Sequence, residues 1–236
     1  MSLVFIISAP SGSGKSTLVN EIRISVPHLE FSVSYTTRSP RGSEQNGREY
    51  YFISRDEFER MIKAGEFLEY ADVFGNYYGT AKRFLREAEM RGKDLLLDID
   101  VQGEKQVKHK QPDAVSIFVL PPSRQVLERR LQRRSQAEGA DAEAVVPRRL
   151  HEAAKEIENY PNYGYILVND QLELSIDQLR DIVLGERLKR ATRPLTSEEQ
   201  AIVDRAGRSL RENMRQKAES VLKTFQLSAP SGARSK

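Results

Sequence analysis

A glycine-rich turn, Ala9-Pro10-Ser11-Gly12-Ser13-Gly14-Lys15-Ser16, lies between an apolar run at residues 3–8 and a helix-compatible run at 17–21. Strand, glycine loop and helix in that order restrict the fold sharply, because backbone N–H groups and a helix N-terminus are then turned toward one side of the loop. That arrangement wraps phosphate. Ala9 to Gly14 would supply the main chain, Lys15 would reach the outer phosphate oxygens of a nucleoside triphosphate, and the Ser16 hydroxyl would hold Mg²⁺. Alanine at residue 9 replaces the usual first glycine of this motif, and is excluded only if the position demands positive φ. The plain alternative is a Gly/Ser turn, and motif and context together favour the phosphate loop.

The same alternation recurs downstream. Apolar runs at 94–98, 115–120 and 165–168 predict strands, and the spacing predicts helices over 14–24, 123–134 and 175–189. Strands apolar on both faces and separated by helices imply an α/β fold, a parallel sheet covered by helices. Residues 31–80, rich in tyrosine, arginine and glycine, break the rhythm and read as an inserted α+β subdomain around one helix that Ser54 and Glu57 would open. Residues 133–147, with Gly139 and small polar side chains, read as a mobile lid in which Pro147 starts or kinks a second helix. Residues 190–236 form an extension. There Ser197 and Gln200 read as a capping box leading into Ile202, Ala206, Leu210, Met214, Ala218, Val221 and Phe225, one apolar helical stripe. That stripe is expected to dock on the body or on a second copy of the chain, and the polar end at 228–236 to be disordered.

The chain carries 37 Lys+Arg and 34 Asp+Glu, but residues 186–236 hold 12 and 6 of these, leaving 25 against 28 for the first 185. The body is therefore slightly acidic, with no general attraction for nucleic acid. The absence of cysteine excludes disulfide frameworks, thiolate zinc sites and cysteine nucleophiles. His28, His109 and His151 show no metal-ligand spacing. The apolar run at 3–7 is too short for a signal peptide or a bilayer crossing, so a cytoplasmic protein without membrane partners is expected.

Two further patterns carry chemistry. The run Leu95-Leu96-Leu97-Asp98-Ile99-Asp100 ends an apolar strand in two carboxylates, where ligands of open parallel sheets bind. In Ser34-Tyr35-Thr36-Thr37-Arg38-Ser39-Pro40-Arg41 two arginines flank a rigid proline, with Gly47 and Tyr50 following. Guanidinium forks recognise phosphate in a bidentate way.

With Gly65-Glu66-Phe67-Leu68-Glu69, Gly75-Asn76-Tyr77-Tyr78-Gly79-Thr80, Gln102-Gly103 and Val168-Asn169-Asp170, these runs resemble guanylate kinases over about residues 3–189. The resemblance implies a P-loop core in residues 1–189, carrying a GMP-binding subdomain at 31–80 and an arginine-bearing lid at about 133–147, with 190–236 as a helical extension beyond it. It implies the reaction ATP + GMP → ADP + GDP with Mg²⁺, and some use of dGMP. By the same resemblance Arg38, Arg41, Tyr50 and Tyr78 hold the GMP phosphate, and Ser34, Glu69 and Thr80 read guanine. Asp98 faces GMP, Asp100 and Ser16 serve Mg²⁺, Asn169 joins the ATP site, and Arg133 and Arg149 stabilise the moving phosphoryl group, with Arg134 competing for the role of Arg133. Two rivals are a non-catalytic guanylate-kinase-like interaction module, which has little need of an intact phosphate loop, and a P-loop kinase for another small acceptor, which leaves Glu69 and the run at 75–80 unexplained.

Overall fold

The computed structural model describes residues 2–73, 75–137 and 142–226. The expected end at 228–236, and Gly139 in the expected lid, lie outside them. The elements run β1 (Val4–Ser8), α1 (Lys15–Ser25), β2 (Leu29–Phe31), β3 (Tyr35–Thr36), β4 (Tyr51–Phe52), α2 (Arg55–Lys63), β5 (Phe67–Val73) and β6 (Asn76–Ala81). There follow α3 (Lys82–Met90), β7 (Asp94–Asp98), α4 (Val101–Lys110), β8 (Val115–Leu120), α5 (Arg124–Ala137) and α6 (Ala142–Ile157). The chain continues through β9 (Tyr165–Val168), α7 (Leu172–Leu188), α8 (Ser197–Gly207) and α9 (Arg211–Gln226). Chain packing separates two compact units, Met1–Ser8 with Arg23–Ser116, and Ala9–Ile22 with Ile117–Lys236.

In the first unit β2, β7 and β1 pair in parallel in that order, with Val4 opposite Leu95 and Leu29 opposite Asp94. Val4, Ile6, Leu95 and Leu97 share a buried cluster with Leu68, Ile99 and Val107. Strands buried on both faces have no polar alternation, so β1 and the centre of β7 read as plain apolar runs. The same unit holds a second sheet of order β4-β3-β6-β5, in which β5 and β6 form an antiparallel hairpin and β3 lies antiparallel to β6. Its core is aromatic: Phe58, from α2, stacks on Phe67 at 4.3 Å between centroids and on Tyr77 at 5.2 Å. Gly79 permits that stack, since a Cβ there would lie 2.9 Å from Phe67 Cδ1 and 3.0 Å from Phe58 Cζ. Ser54 caps α2, its hydroxyl accepting the Glu57 N–H.

In the second unit β8 and β9 are parallel, with Ile117 opposite Tyr165 and Leu120 opposite Val168. Helix α5 packs on α6 through Leu127, Leu131, Val146, Leu150 and Ala153. The stretch 133–147, expected to be irregular, is helical over 133–137 and 142–147, where arginine, glutamine and alanine favour helix. Pro147 does not start α6 but lies inside it. It sits in the second turn, where only one intrahelical hydrogen bond is forgone.

The extension belongs to this unit and packs on it. Its stripe is divided between two helices: α8 ends at Gly207, and Leu210 forms an antiparallel bridge to Tyr165, with Ile166 N–H donating to Ser209 O at 2.9 Å. Capturing the edge of β9 requires extended chain, which is why the stripe cannot remain one helix. Helix α8 lies on α7, where Gly185 leaves room for Ala206. The cap of α8 is Thr196, one residue before the expected Ser197. Thr196 Oγ1 accepts the Glu199 N–H at 3.2 Å and the Glu199 carboxylate accepts the Thr196 N–H at 2.9 Å. A carboxylate at the third helical position complements the helix dipole as the Gln200 amide cannot.

Candidate functional site

The phosphate loop lies wholly in the second unit. Pro10 O accepts the Ser13 N–H at 3.1 Å, closing a tight turn, and α1 begins at Lys15. Gly12 and Gly14 adopt φ of +88° and +90°, the left-handed region that side chains disfavour. Ala9 is not among the positive-φ residues, so the missing first glycine costs the loop nothing. Lys15 is half-buried and Ser16 exposed at the head of α1.

The loop is held from behind. Ser13 O accepts Asn169 Nδ2 at 2.8 Å and Arg130 Nη1 at 3.2 Å, while Arg130 Nη2 donates to Asn169 O at 3.1 Å. Desolvation lowers the Arg130 pKa, opposed by the nearby Asp170. A Cβ at Gly14 would collide with the Asn169 amide, and one at Gly12 would meet Leu131 Cδ2 at 2.9 Å and Leu127 Cδ1 at 3.0 Å. Asn169, expected at the ATP site, therefore directs its amide to the loop's own main chain. Arg133 and Arg134 are exposed on α5, and Arg149 is half-buried on α6, which packs against it.

The arginine and tyrosine residues come together in the first unit. Arg38 Nε donates to Tyr78 Oη at 3.1 Å, and its guanidinium lies 5.4 Å from the centre of the Tyr50 ring, which meets Tyr78 edge-on at 5.7 Å. The fork of Arg38 is occupied by Glu44, at 3.0 and 2.9 Å, and Glu44 also accepts the Arg41 N–H at 2.7 Å. The Arg41 residue itself is exposed. Ser34 is half-buried, and its carbonyl accepts the Tyr51 N–H.

Glu69 and Thr80 face one another across the β5–β6 hairpin. Glu69 is 3% exposed, and burial pushes its pKa up to about 7; the negative charge of Asp100 adds to the rise, while Thr80 and Lys110 oppose it. Thr80 is fully buried, and its hydroxyl makes no hydrogen bond of ordinary geometry. Asp98 ends β7. Asp100 caps α4, its Oδ1 accepting Gln102 N–H at 3.1 Å and Gly103 N–H at 2.8 Å. Gly103 brings the two carboxylates together: its N–H holds Asp100, and its bare Cα lies against Glu69, whose Oε2 would be 2.5 Å from an added Cβ.

Glu44, Gly103 and Arg130 carry no individual role in the sequence reading. Nothing separates Glu44 from Glu49 in a charged loop, and Gly103 and Arg130 appear only within longer runs. A contact from residue 103 to residue 69 has no local signature.

The family model described as guanylate kinase matches residues 1–186. The chain is 58% identical over 222 residues to a guanylate kinase of Koribacter versatilis, covering 94% of this chain and 95% of that protein. It is 50% identical over 187 residues to the guanylate kinase of Geobacter metallireducens, covering 79% and 90%. The crystal structure of guanylate kinase from Anaplasma phagocytophilum superposes with a TM-score of 0.64 at 34% identity, covering 80% of this chain and 88% of that one. With the phosphate loop and the Arg38–Tyr78 and Glu69–Gly103 clusters described above, these matches show that the chain belongs to the guanylate kinase family.

Proposed function

We infer that the chain transfers the γ-phosphoryl group of ATP to GMP, giving ADP and GDP, with Mg²⁺ as the accompanying ion. The observation that carries the reading is the buried Glu69 carboxylate. Keeping it buried beside Asp100 costs stability that Thr80 and Lys110 offset only in part, as is common for a group retained for binding. Guanine presents N–H donors at N1 and N2 for a carboxylate to accept; adenine lacks the N1 donor. Ser34 and Thr80 are hydroxyls suited to the guanine acceptors O6 and N7, and Asp98 lies on the GMP side. An interaction module would have little need of two left-handed loop glycines or of a buttressed Ser13 carbonyl.

Arg38, Arg41, Tyr50 and Tyr78 bind the GMP phosphate. That phosphate, with a second pKa near ~6, is mostly dianionic at neutral pH and attacks without a general base. Ala9 to Ser16 and Asn169 form the ATP side, where the loop amides take the phosphates and Lys15 the γ-phosphate. Arg133 and Arg149 supply further positive charge in a transition state governed by positioning and electrostatics. Ser16 Oγ and Asp100 Oδ2 are hard oxygen donors, and Mg²⁺ needs few from a protein because it keeps waters and phosphate oxygens. When bound, the ion neutralises charge on the transferring phosphates.

Among the described residues no helix is long and apolar enough to cross a membrane. The substrates are those of the cytoplasm, where we put the chain. Nucleic acid has no part in this reading, and dGMP is an acceptor because no side chain is assigned to the 2′-hydroxyl. The buried tail residues Ala206, Ala218 and Val221 lie on the chain's own second unit; association of copies through the tail is read out by light scattering. The deciding experiment is a coupled assay with ATP, Mg²⁺ and a panel of nucleoside monophosphates. Turnover of GMP, weaker turnover of dGMP and almost none of AMP is expected. No turnover of any acceptor refutes the kinase reading, and comparable use of AMP refutes the role of Glu69.

A further inference from the structure

The reaction as described makes no use of residues 197–226, and the family model ends at residue 186, before α8 begins. Yet the last turn of α9 makes two contacts that bear on the phosphate loop. Thr224 Oγ1 accepts the N–H of Arg124 at 3.0 Å, the first amide of α5, which has no acceptor within its own helix. Phe225 packs against the cluster of Leu127, Leu131, Val146, Leu150 and Ala153 that joins α5 to α6. Thr224 thus acts as a cap supplied from 100 residues away, and Phe225 closes the outer side of the apolar seam.

Helix α5 is the element that sets the loop. Leu127, Arg130 and Leu131 occupy one face at i, i+3 and i+4. The two leucines fill the space that a Cβ on Gly12 would need, and Arg130 holds Ser13 O and Asn169 O. A shift of α5 along or about its axis would move all three together, and a desolvated guanidinium finds replacement partners only at high cost. Phosphate-binding amides work when they are held in place before the ligand arrives, and a misplacement of about 1 Å can cost about a hundredfold in rate.

We propose that the end of α9 is a positioning element for ATP: Thr224 and Phe225 fix α5 in the register from which Leu127, Arg130 and Leu131 hold the phosphate loop ready for the nucleotide. The inference rests on the reading of residues 9–16 as the ATP phosphate site. It makes Thr224 and Phe225 positioning residues of the reaction and gives the extension a specific effect on one substrate of the two.

The test uses the full chain with Thr224→Val, Phe225→Ala and the conservative Phe225→Leu, read by the Kd of a fluorescent ADP analogue and by separate KM values for ATP and GMP. Phe225→Ala should weaken ADP binding and raise the ATP KM by about tenfold, with the GMP KM within about twofold; Thr224→Val should do so by about threefold. Phe225→Leu, which refills the seam, should restore both values to near those of the unaltered chain. Folded Phe225→Ala and Thr224→Val proteins with unchanged ADP affinity would overturn the proposal, leaving α9 a stabilising element only, and so would equal losses for ATP and GMP. If Phe225→Ala does not fold, the nearly isosteric Thr224→Val decides alone. A chain that binds ADP yet fails to phosphorylate GMP refutes the proposed reaction, while the ratio of ADP affinities still decides the role of α9.

Discussion

The phosphate loop and the acceptor site are built from different materials. The loop is main chain: two left-handed glycines, a turn from Ser13 N–H to Pro10 O, and a helix start at Lys15. The proposed acceptor site is side chains brought from four separate segments, Arg38 and Glu44, Tyr50, Glu69 with Tyr78 and Thr80, and Asp100 with Gly103. A main-chain site is a local property of eight consecutive residues and tolerates Ala9, because only φ matters there. A side-chain site depends on packing at every corner, and a residue such as Gly103 bears on it through the space that it leaves for Glu69.

The two regions should therefore fail in different ways. Lys15→Ala, which removes the loop's one charged side chain, should lower kcat by about a thousandfold or more with an unchanged fold, checked by steady-state kinetics and circular dichroism. A variant with near-normal turnover would break the comparison at its strongest point. Next in size, Glu69→Gln and Gly103→Ala should each reduce kcat/KM for GMP by a hundredfold or more, with the ATP KM little altered. The first removes the carboxylate proposed to accept guanine's N–H groups, and the second displaces it. If Gly103→Ala leaves GMP use intact, Glu69 has room to move and the side-chain account is too rigid.

The pH dependence sharpens the same point. The folded-state pKa of Glu69 is raised to about 7, above its ordinary value, so the folded state binds the proton more tightly than the unfolded state does. The destabilisation from its burial is absent at low pH, sets in as pH rises through the ordinary carboxylate range, and is complete above about 7. Glu69→Gln should thus gain stability relative to the unaltered protein between pH 5 and 8, by on the order of 2–3 kcal/mol. Over the same range kcat/KM for GMP should rise in both proteins as the GMP phosphate loses its second proton, and the unaltered enzyme should show a further rise near pH 7 as the carboxylate ionises, which the Gln variant loses. The smallest effect is expected at Glu44, which orients the Arg38 fork without meeting guanine. Glu44→Gln should raise the GMP KM by about threefold to tenfold at unchanged kcat, measured at saturating ATP.

Much of the local structure was legible in the sequence, because strands β1, β7, β8 and β9 are built around apolar runs and helix α1 follows a glycine loop. Helices α3 and α4 were not: α4 has few apolar positions, and α3, though amphipathic, is short and follows directly on β6 with no capping side chain to mark its start. The stripe of the extension was legible as amphipathic, while its division at Arg208–Leu210 depended on the free edge of β9, which no local pattern encodes. The cap of α8 was a local matter: Thr196 and Ser197 carry the same hydroxyl chemistry, and the carboxylate three residues on chose between them.

By itself the sequence determined what depends on neighbours along the chain: the phosphate loop, the strand and helix alternation, and the arginine and tyrosine types suited to a nucleotide. Tertiary structure alone decided which of those groups meet. It set Glu44 on the Arg38 fork, Gly103 under the Glu69 carboxylate, Asn169 and Arg130 behind Ser13, and Phe225 against the α5–α6 seam. The reason is physical: backbone conformation answers to the local steric map, whereas desolvation, charge pairing and close packing depend on distances between residues that sequence spacing does not constrain.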